Sequence, residues 1–514
     1  MWNAVPYLYG KMRITNELPT GFCSGGAQAV GMRFWVFNYA VACVLLLVGT
    51  TSVSAYVPEG RWSTTASGST GVDGDPATVT WSIVADGTNL SGEGASDLVS
   101  FLDTNFGAGP GGLDLTQRPW FPYFDSSFDR WGELSGITYL YEPNDDGKRQ
   151  GTFWAGSLGV RGDVRIGGAD IDGASNTIAY NYYPNNGDMV IDTADSLYLS
   201  NSYLNYRRIR NTVAHEAGHG FGLDHVESST SNFLLEPYIT TAYDGPQLDD
   251  IRGVQALYGD FFEKSNSGQG NDTAGLATSL GSLAAGSSLS IGTDASDTVV
   301  SSTDTDFLSI DSNTDTDFFS LSVDGPSLLD VALIPVGPTY NQGAQGEAQT
   351  SIDTSSLSDL ALSVFDVDGT SLLGQSDGFG LGQAESLVSL DLPAAGEYYI
   401  RIIGDDSAAL DIVDTAQFYQ LDLSVESSVV YFTADFDQDG DVDADDLGDW
   451  EASYGVDAGG DTDGDGDTDG LDFLTWQTQF MGNVAPSLPA VGVPEPSALV
   501  LASLAGLFFW VRRV

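Results

Sequence analysis

The sequence predicts a multidomain chain: a mixed α/β (α+β) domain, an antiparallel β-sandwich, a small α module built on paired acidic loops, and a C-terminal membrane helix. Three observations predict this. All three histidines of the 514 residues fall within "HEAGHGFGLDH", residues 215–225. Near Phe262 the mixed helix- and strand-like stretches give way to Gly, Ser, Asp and Thr between short alternating runs. Between 430 and 484 an acidic pattern repeats with a period of 26. A chain of this length exceeds one compact domain, so these discontinuities read as boundaries.

Formal net charge is -54, from 72 acidic and 18 basic residues. Such a surface repels phosphate backbones and anionic lipid, which excludes nucleic acid as a partner. It serves solubility, and it also offers carboxylate oxygens to hard cations such as calcium. A hydrophobic content of 42% excludes a wholly disordered chain. The two cysteines, Cys23 and Cys43, precede residue 56, so disulfides play no part in the expected mature chain.

Residues 1–31 carry no clear pattern; with Met32 as the true start they are an untranslated extension. Residues 32–55 have a basic start at Arg33, a short apolar core and small residues at Val53-Ser54-Ala55, the three-part pattern of a secretory signal peptide. The chain is therefore expected outside the cytoplasm. Residues 56–261 form the catalytic domain. Within it "ATVTWSIV" (77–84), "GDVRIGG" and "DMVID" read as strands, and "DLVSFLDTNFG" and "FDSSFDRWGELSG" as amphipathic helices. In "YLNYRRIRNTVAHEAGHGFG", Ile209, Val213 and Ala217 recur four apart, so a helix with one packed face is expected, ended by Gly220 and Gly222. Residues 262–429 hold "DFFSLSVDG", "LLDVALIPVG", "LALSVFDVDG", "ESLVSLDL", "EYYIRIIGD" and "FYQLDLSV", strands between turn residues that predict a sandwich. Residues 485–492 are a linker. Residues 493–514 hold Pro494-Glu495-Pro496, an apolar run to Val511 and two arginines, a short membrane helix with the positive end inside.

On a helix, residues i and i+4 share a face one turn apart, so His215 and His219 can present nitrogens to one ion. Gly222 lets the chain leave the helix sharply and His225 return as a third ligand. Three nitrogens with one open position is the catalytic zinc arrangement. Zinc lowers the pKa of its bound water to about 7. Glu216, beside the histidines, can take the water proton as general base and pass it to the leaving amine. Single histidines are more often satisfied core residues; the five fixed positions of HExxHxxGxxH are far more specific.

Here the sequence resembles the metzincin peptidases, and within them the matrixins, over most of residues 56–261. "NTIAYNYYPNNGDMVID" (176–192) resembles the matrixin segment before the active-site helix, and "LDDIRGVQALYG" (248–259) the helix that closes the domain. The resemblance implies a five-stranded sheet, three helices and a substrate cleft over one zinc. It also places Asp163 and Asp188 where matrixins bind structural calcium, although both also read as ordinary turn aspartates. Three departures stand out. Leu235, in "SNFLLEP", occupies the place of the metzincin methionine turn, and no histidine is left for a second zinc. The cysteine of a thiol-controlled propeptide is also missing.

Residues 262–429 resemble the bacterial pre-peptidase C-terminal domain, through "DTDFFSLSV" (315–323) and "LPAAGEYYIRI" (392–402). In residues 430–484, Asp435, Asp437, Asp439, Gly440, Asp441, Asp443 and Asp446 recur as Asp461, Asp463, Asp465, Gly466, Asp467, Asp469 and Asp472. Oxygens at positions 1, 3, 5, 7, 9 and 12 with glycine at 6 make a calcium loop. Two copies in one register argue against an acidic linker. Aspartate at position 12 resembles dockerin type I repeats, which implies two calcium ions and a cohesin-like partner. Trp450/Tyr454 and Trp476/Phe480, each four apart, are expected on short helices, with the two tryptophans buried against each other. The tail resembles the PEP-CTERM sorting signal, which implies processing by an exosortase-like enzyme.

Two functions are consistent with these features. The first is a secreted, envelope-associated zinc endopeptidase acting on protein or peptide substrates. The alternative is a calcium-dependent adhesion or assembly protein with a vestigial peptidase domain.

Overall fold

The structure is a computed structural model that describes residues 9–13, 56–151, 155–297, 299–312, 314–404, 416–428 and 432–480. The chain divides into two compact units, Met1–Ser428 and Val429–Val514. The expected catalytic and sandwich regions both lie in the first.

The catalytic region is built on a six-stranded sheet. Its order is Tyr9–Arg13, Thr177–Tyr182, Met189–Asp192, Val164–Ala169, Ala77–Ile83, Ile137–Tyr141. The last four strands run parallel, and Thr177–Tyr182 is antiparallel to its neighbour. Five strands come from residues 56–261, as the resemblance implied. The sixth, Tyr9–Arg13, comes from the upstream segment and pairs antiparallel with the edge strand Thr177–Tyr182. Burial on both faces explains why Val164–Ala169 and Met189–Asp192 read as runs rather than alternations.

Four α-helices accompany this sheet among the described residues: α1 (Leu98–Phe106), α2 (Phe121–Leu134), α3 (Arg207–Phe221) and α4 (Leu248–Tyr258). That is one more than the resemblance implied. The addition to that count is α1, the amphipathic helix read from "DLVSFLDTNFG", which buries Leu98 and Leu102. Helix α2 packs on α3 through Trp131, whose indole N–H donates to the Ala214 carbonyl at 2.9 Å and whose ring meets Phe221 edge-on at 4.6 Å. The N-terminal part of the expected α3 is not α-helical. Ser202–Leu204 is a 3-10 turn, and Asn205 and Tyr206 are left-handed. The Arg210 guanidinium, bonded to the carbonyls of Leu204 and Asn205, ties that corner to the helix proper.

Two sheets of five strands form the sandwich. One is ordered Thr278–Ser282, Thr316–Val323, Gly396–Gly404, Leu360–Phe365, Leu372–Ser376. The other runs Ser287–Ile291, Gln417–Ser427, Ser327–Pro335, Glu385–Leu392, with Leu308–Ile310 also on Gln417–Ser427. Alternation places Phe319, Leu321, Leu329, Leu333, Ile400 and Leu421 in one core. All six expected strands are present. One pair departs from the antiparallel expectation: Thr278–Ser282 runs parallel to Thr316–Val323. Parallel neighbours need a long crossover, and the second sheet's Ser287–Ile291 and Leu308–Ile310 lie on it.

The sandwich does not stop at its own surface. A hairpin of Thr339–Ala344 and Thr350–Asp353 leaves it and pairs with Val226–Glu227, just after the last histidine. Behind it Arg252 of α4, 1% exposed, bonds to the Ala416 carbonyl, the Tyr340 hydroxyl and Asp249.

The second unit holds helices Ala444–Ser453 and Gly470–Gln479, each following an aspartate-rich loop. No helix among the described residues is long and apolar enough to cross a membrane. The signal segment 32–55, the linker and the tail 493–514 lie outside the described residues.

Because catalytic and sandwich regions share one unit, damage to one core should be felt in the other. Phe319→Ala, at a site with no exposure, should cost about 3–5 kcal/mol. It should lower a single thermal transition in which near-ultraviolet dichroism of Trp62, Trp81, Trp120 and Trp131 melts together with the sandwich. Two separated transitions, with the tryptophan signal unmoved, would show independent domains.

Candidate active site

Helix α3 carries His215 and His219 on its buried face. The helix ends where Gly222 adopts φ 118° and its N–H reaches the carbonyls of Gly218 and His219. A Cβ at this position would lie 1.7 Å from the Gly60 carbonyl oxygen, so only glycine fits. Gly220, expected to help end the helix, lies within it, with Asn181 packed against it. The chain then turns back through Leu223 and Asp224 to His225.

The three imidazoles converge. Their Nε2 atoms are 3.1, 3.2 and 3.2 Å apart. Each Nδ1 is engaged elsewhere: His215 with the Leu234 carbonyl at 2.6 Å, His219 with the Leu223 carbonyl at 2.7 Å, His225 with Gln345 Oε1 at 3.0 Å. All three acceptors require Nδ1 to carry the hydrogen, which leaves every Nε2 with a lone pair facing the common centre. The rings are buried, at 0, 0 and 3% exposure. Burial pushes the pKa of His215 down to about 3, and its neighbour His225 adds to the effect; His219 and His225 are also lowered, by burial first. At neutral pH the centre is therefore three uncharged donors with no proton between them.

That donor set fits zinc. Tetrahedral zinc with Zn–N bonds of about 2.0–2.1 Å separates its ligand nitrogens by roughly 3.3–3.4 Å, close to the triangle observed. Glu216 lies beside it, fully buried, with neither carboxyl oxygen hydrogen-bonded. Burial pushes its pKa well above the ordinary carboxylate value. A nearby cation would offset that cost.

The floor is apolar and pinned. Leu235, 1% exposed, packs against Gly218, where a Cβ would meet its Cδ2 at 2.9 Å. Asp250, at the third position of α4, accepts from the N–H groups of Leu234, Leu235 and Gln247 at 2.6, 3.0 and 2.8 Å. The carbonyl that orients His215 is thus held by the N-terminus of α4.

The other predicted residues fall in two places. Asp163 Oδ1 accepts from Ala66 and Gly156 N–H, and Oδ2 from the N–H and hydroxyl of Thr80. Asp188 accepts from Gly151 N–H, and burial pushes its pKa up to about 7. Asp163 thus ties loop backbone at Ala66 and Gly156 to the strand Ala77–Ile83, and Asp188 anchors the turn at Gly151. In the second unit the two aspartate loops repeat one geometry. Asp435 accepts from Asp439 and Gly440 N–H, and Asp461 from Gly464 and Gly466 N–H. Asp446 and Asp472 close the loops by accepting from Phe436 and Thr462 N–H while capping their own helices. The oxygens of Asp435, Asp437 and Asp446, and those of Asp441, Asp443 and Asp446, come within 4.8 Å of one another. The tryptophans do not touch as expected, because Phe473 lies between them, 4.9 Å from Trp450 and 5.6 Å from Trp476. Each indole N–H instead bonds to the N-cap carbonyl of the opposite helix, Trp450 to Asp469 and Trp476 to Asp443.

Sequence reasoning missed two features. Gln345 lies 120 residues from its partner His225, and no local pattern marks it. Glu263, Asp272 and Asp315 bring carboxylate oxygens within 4.8 Å. Buried Asp317 lies in the same acidic group, and burial, with neighbouring aspartates, pushes the pKa of Glu263 up to about 11. No local pattern joins these residues, and Asp315 and Asp317 belong to "DTDFFSLSV", which read as a strand motif of the sandwich.

Residues 123–259 match the family described as Matrixin. The chain is 29% identical to a hatching enzyme of Paracentrotus lividus, over 31% of this chain and 25% of that one. It is 32% identical to an interstitial collagenase of Equus caballus, over 26% and 27%. It is 28% identical to the metalloendoproteinase 2-MMP of Arabidopsis thaliana, over 26% and 36%. The chain thus spans about a quarter to a third of the length of these relatives. Among solved structures it is similar to the pre-peptidase C-terminal domain of a Bacillus anthracis collagenase, at 9% identity over 29% of this chain and 96% of that one, with a TM-score of 0.16.

Gly222→Ala should disrupt the return to His225. A left-handed alanine costs about 1–3 kcal/mol before the overlap with Gly60 is relieved. The variant should melt lower and retain less than stoichiometric zinc after gel filtration. Full metal content with an unchanged Tm would show that the turn tolerates a side chain.

Proposed function

Taking a matrixin domain over residues 123–259 as the premise, we propose that this chain is an exported zinc-dependent endopeptidase. The observation that carries the reading is the convergence of three Nε2 lone pairs at 3.1–3.2 Å, each ring fixed through Nδ1, beside buried Glu216. His215, His219 and His225 would hold the ion. Zinc, when bound, supplies a Lewis acid for the scissile carbonyl and acidifies water. Glu216 takes a proton from the attacking water and delivers it to the departing amine. Its low-dielectric surroundings keep the carboxylate unsolvated and basic. The edge strand Thr177–Tyr182, packed beside α3, accepts an antiparallel strand in the structure. A substrate segment in extended form would use the same main-chain groups.

Leu235 supports activity rather than decay, since it fills the floor under Gly218 with an apolar side chain near methionine in volume. We assign the aspartate loops to two calcium ions, because two copies of one loop geometry bring carboxylates together without counter-charge. A cohesin-like partner for that module follows from its resemblance to dockerins. Export by residues 32–55, and envelope retention with exosortase-like processing at 493–514, follow from the sequence signals.

Glu216→Gln should bind zinc as the parent does and lose caseinolytic activity by orders of magnitude, because an amide cannot accept the water proton. Elemental analysis should find one zinc per chain. Near-parental turnover in the variant removes Glu216 as the base.

A fragment of residues 430–484 should gain helix on calcium addition, because paired loop carboxylates oppose folding without a cation. Asp435→Ala combined with Asp461→Ala should abolish the response. Circular dichroism indifferent to calcium would make the repeat a solvated linker.

A further inference from the structure

Two of the three histidines are oriented by backbone carbonyls within the catalytic region. The third is not. His225 Nδ1 is paired with Gln345, at the turn of the hairpin that the sandwich extends. The pairing follows from register. Val226 faces Ala344 and Glu227 faces Gly343, so one further step of the antiparallel ladder sets His225 opposite Gln345.

The hairpin has little freedom to be elsewhere. Ser228 Oγ donates to the Asn341 carbonyl at 2.5 Å, Asn341 N–H to Thr230 Oγ1 at 2.8 Å, and Ser229 N–H to Gln349 Oε1 at 2.9 Å. At its base the Tyr340 hydroxyl donates to buried Asp249 of α4 at 2.6 Å, and the Tyr340 ring meets Phe233 edge-on at 5.3 Å. Phe233 directly precedes Leu234, whose carbonyl orients His215. The hairpin is thus fastened on both sides of the histidine centre.

We propose that the sandwich completes the metal centre: Gln345 is a positioning residue that holds the His225 ring and its Nδ1–H tautomer for metal binding through Nε2. This rests on the reading of His215, His219 and His225 as zinc ligands. An acceptor on the far nitrogen fixes the ring and makes the ligating nitrogen more basic, and losing such a partner costs about 10–100-fold in metal affinity or activity. The accessory region is then a structural part of the peptidase.

The test uses the full chain and zinc itself, titrated against a chromophoric chelator. Gln345→Ala should weaken zinc binding about 10–100-fold. Its metal-free Tm should stay at the parental value, because the side chain lies on an exposed turn. Cobalt substitution should show an altered d–d spectrum, since the ligand field follows the ring. Gln345→Glu, which keeps an acceptor, should restore both readouts, while Gln345→Met should not. Parental zinc affinity and cobalt spectrum in Gln345→Ala would overturn the proposal. His225→Ala separates the positioning role from the ligand assignment. If it loses zinc while Gln345→Ala does not, only the role of Gln345 fails. If it keeps parental zinc affinity, the ligand assignment itself fails, and the role of Gln345 with it.

Discussion

Three neutral imidazole nitrogens are held face to face in a buried site, and much of the first unit is arranged to make that possible. Lone pairs at 3.1–3.2 Å repel one another. Each ring must therefore be clamped from behind, and each clamp belongs to a different part of the chain. The Leu223 carbonyl is available because Gly222 turns tightly against Gly60. The Leu234 carbonyl is in place because Asp250 gathers the N–H groups of its loop. Gln345 is in place because a hairpin crosses from the sandwich.

The buried charges around the centre follow the same logic. Arg252 and Asp249 are both essentially unexposed, and Tyr340 joins them. Removing Arg252 or Asp249 would leave an uncompensated buried charge, whereas the intact set fixes where α4 meets the hairpin. Asp250 accepts three N–H bonds, yet burial still pushes its pKa up to about 7. Its carboxylate is placed for geometry at some electrostatic cost.

The second unit solves a different problem with a repeated device. Its loops place like charges together, and its two small helices share little apolar surface beyond Trp476, Phe473 and their neighbours. The reciprocal indole bonds from Trp450 and Trp476 to opposite N-cap carbonyls relate the repeats to each other. An internal duplication of sequence becomes a matched pair of contacts because each repeat supplies the donor that the other's helix start accepts.

The features legible in the sequence are those set by covalent geometry over a few residues. A spacing of four puts His215 and His219 on one helix face, a period of two gives the sandwich strands, and glycine at position six turns each aspartate loop. These are local, so composition and spacing determine them. The added strand Tyr9–Arg13, the ring of Phe473 between the tryptophans and the group around Glu263 were not legible. Neither was the hairpin that brings Gln345 to His225 across 120 residues. The sequence by itself determined which side chains could serve as ligands and that three of them would lie on one helix and its return. Only the tertiary structure decided what stands behind each ring, because that depends on which distant surfaces close on one another, and the energy of such closure is spread over contacts that no local period records.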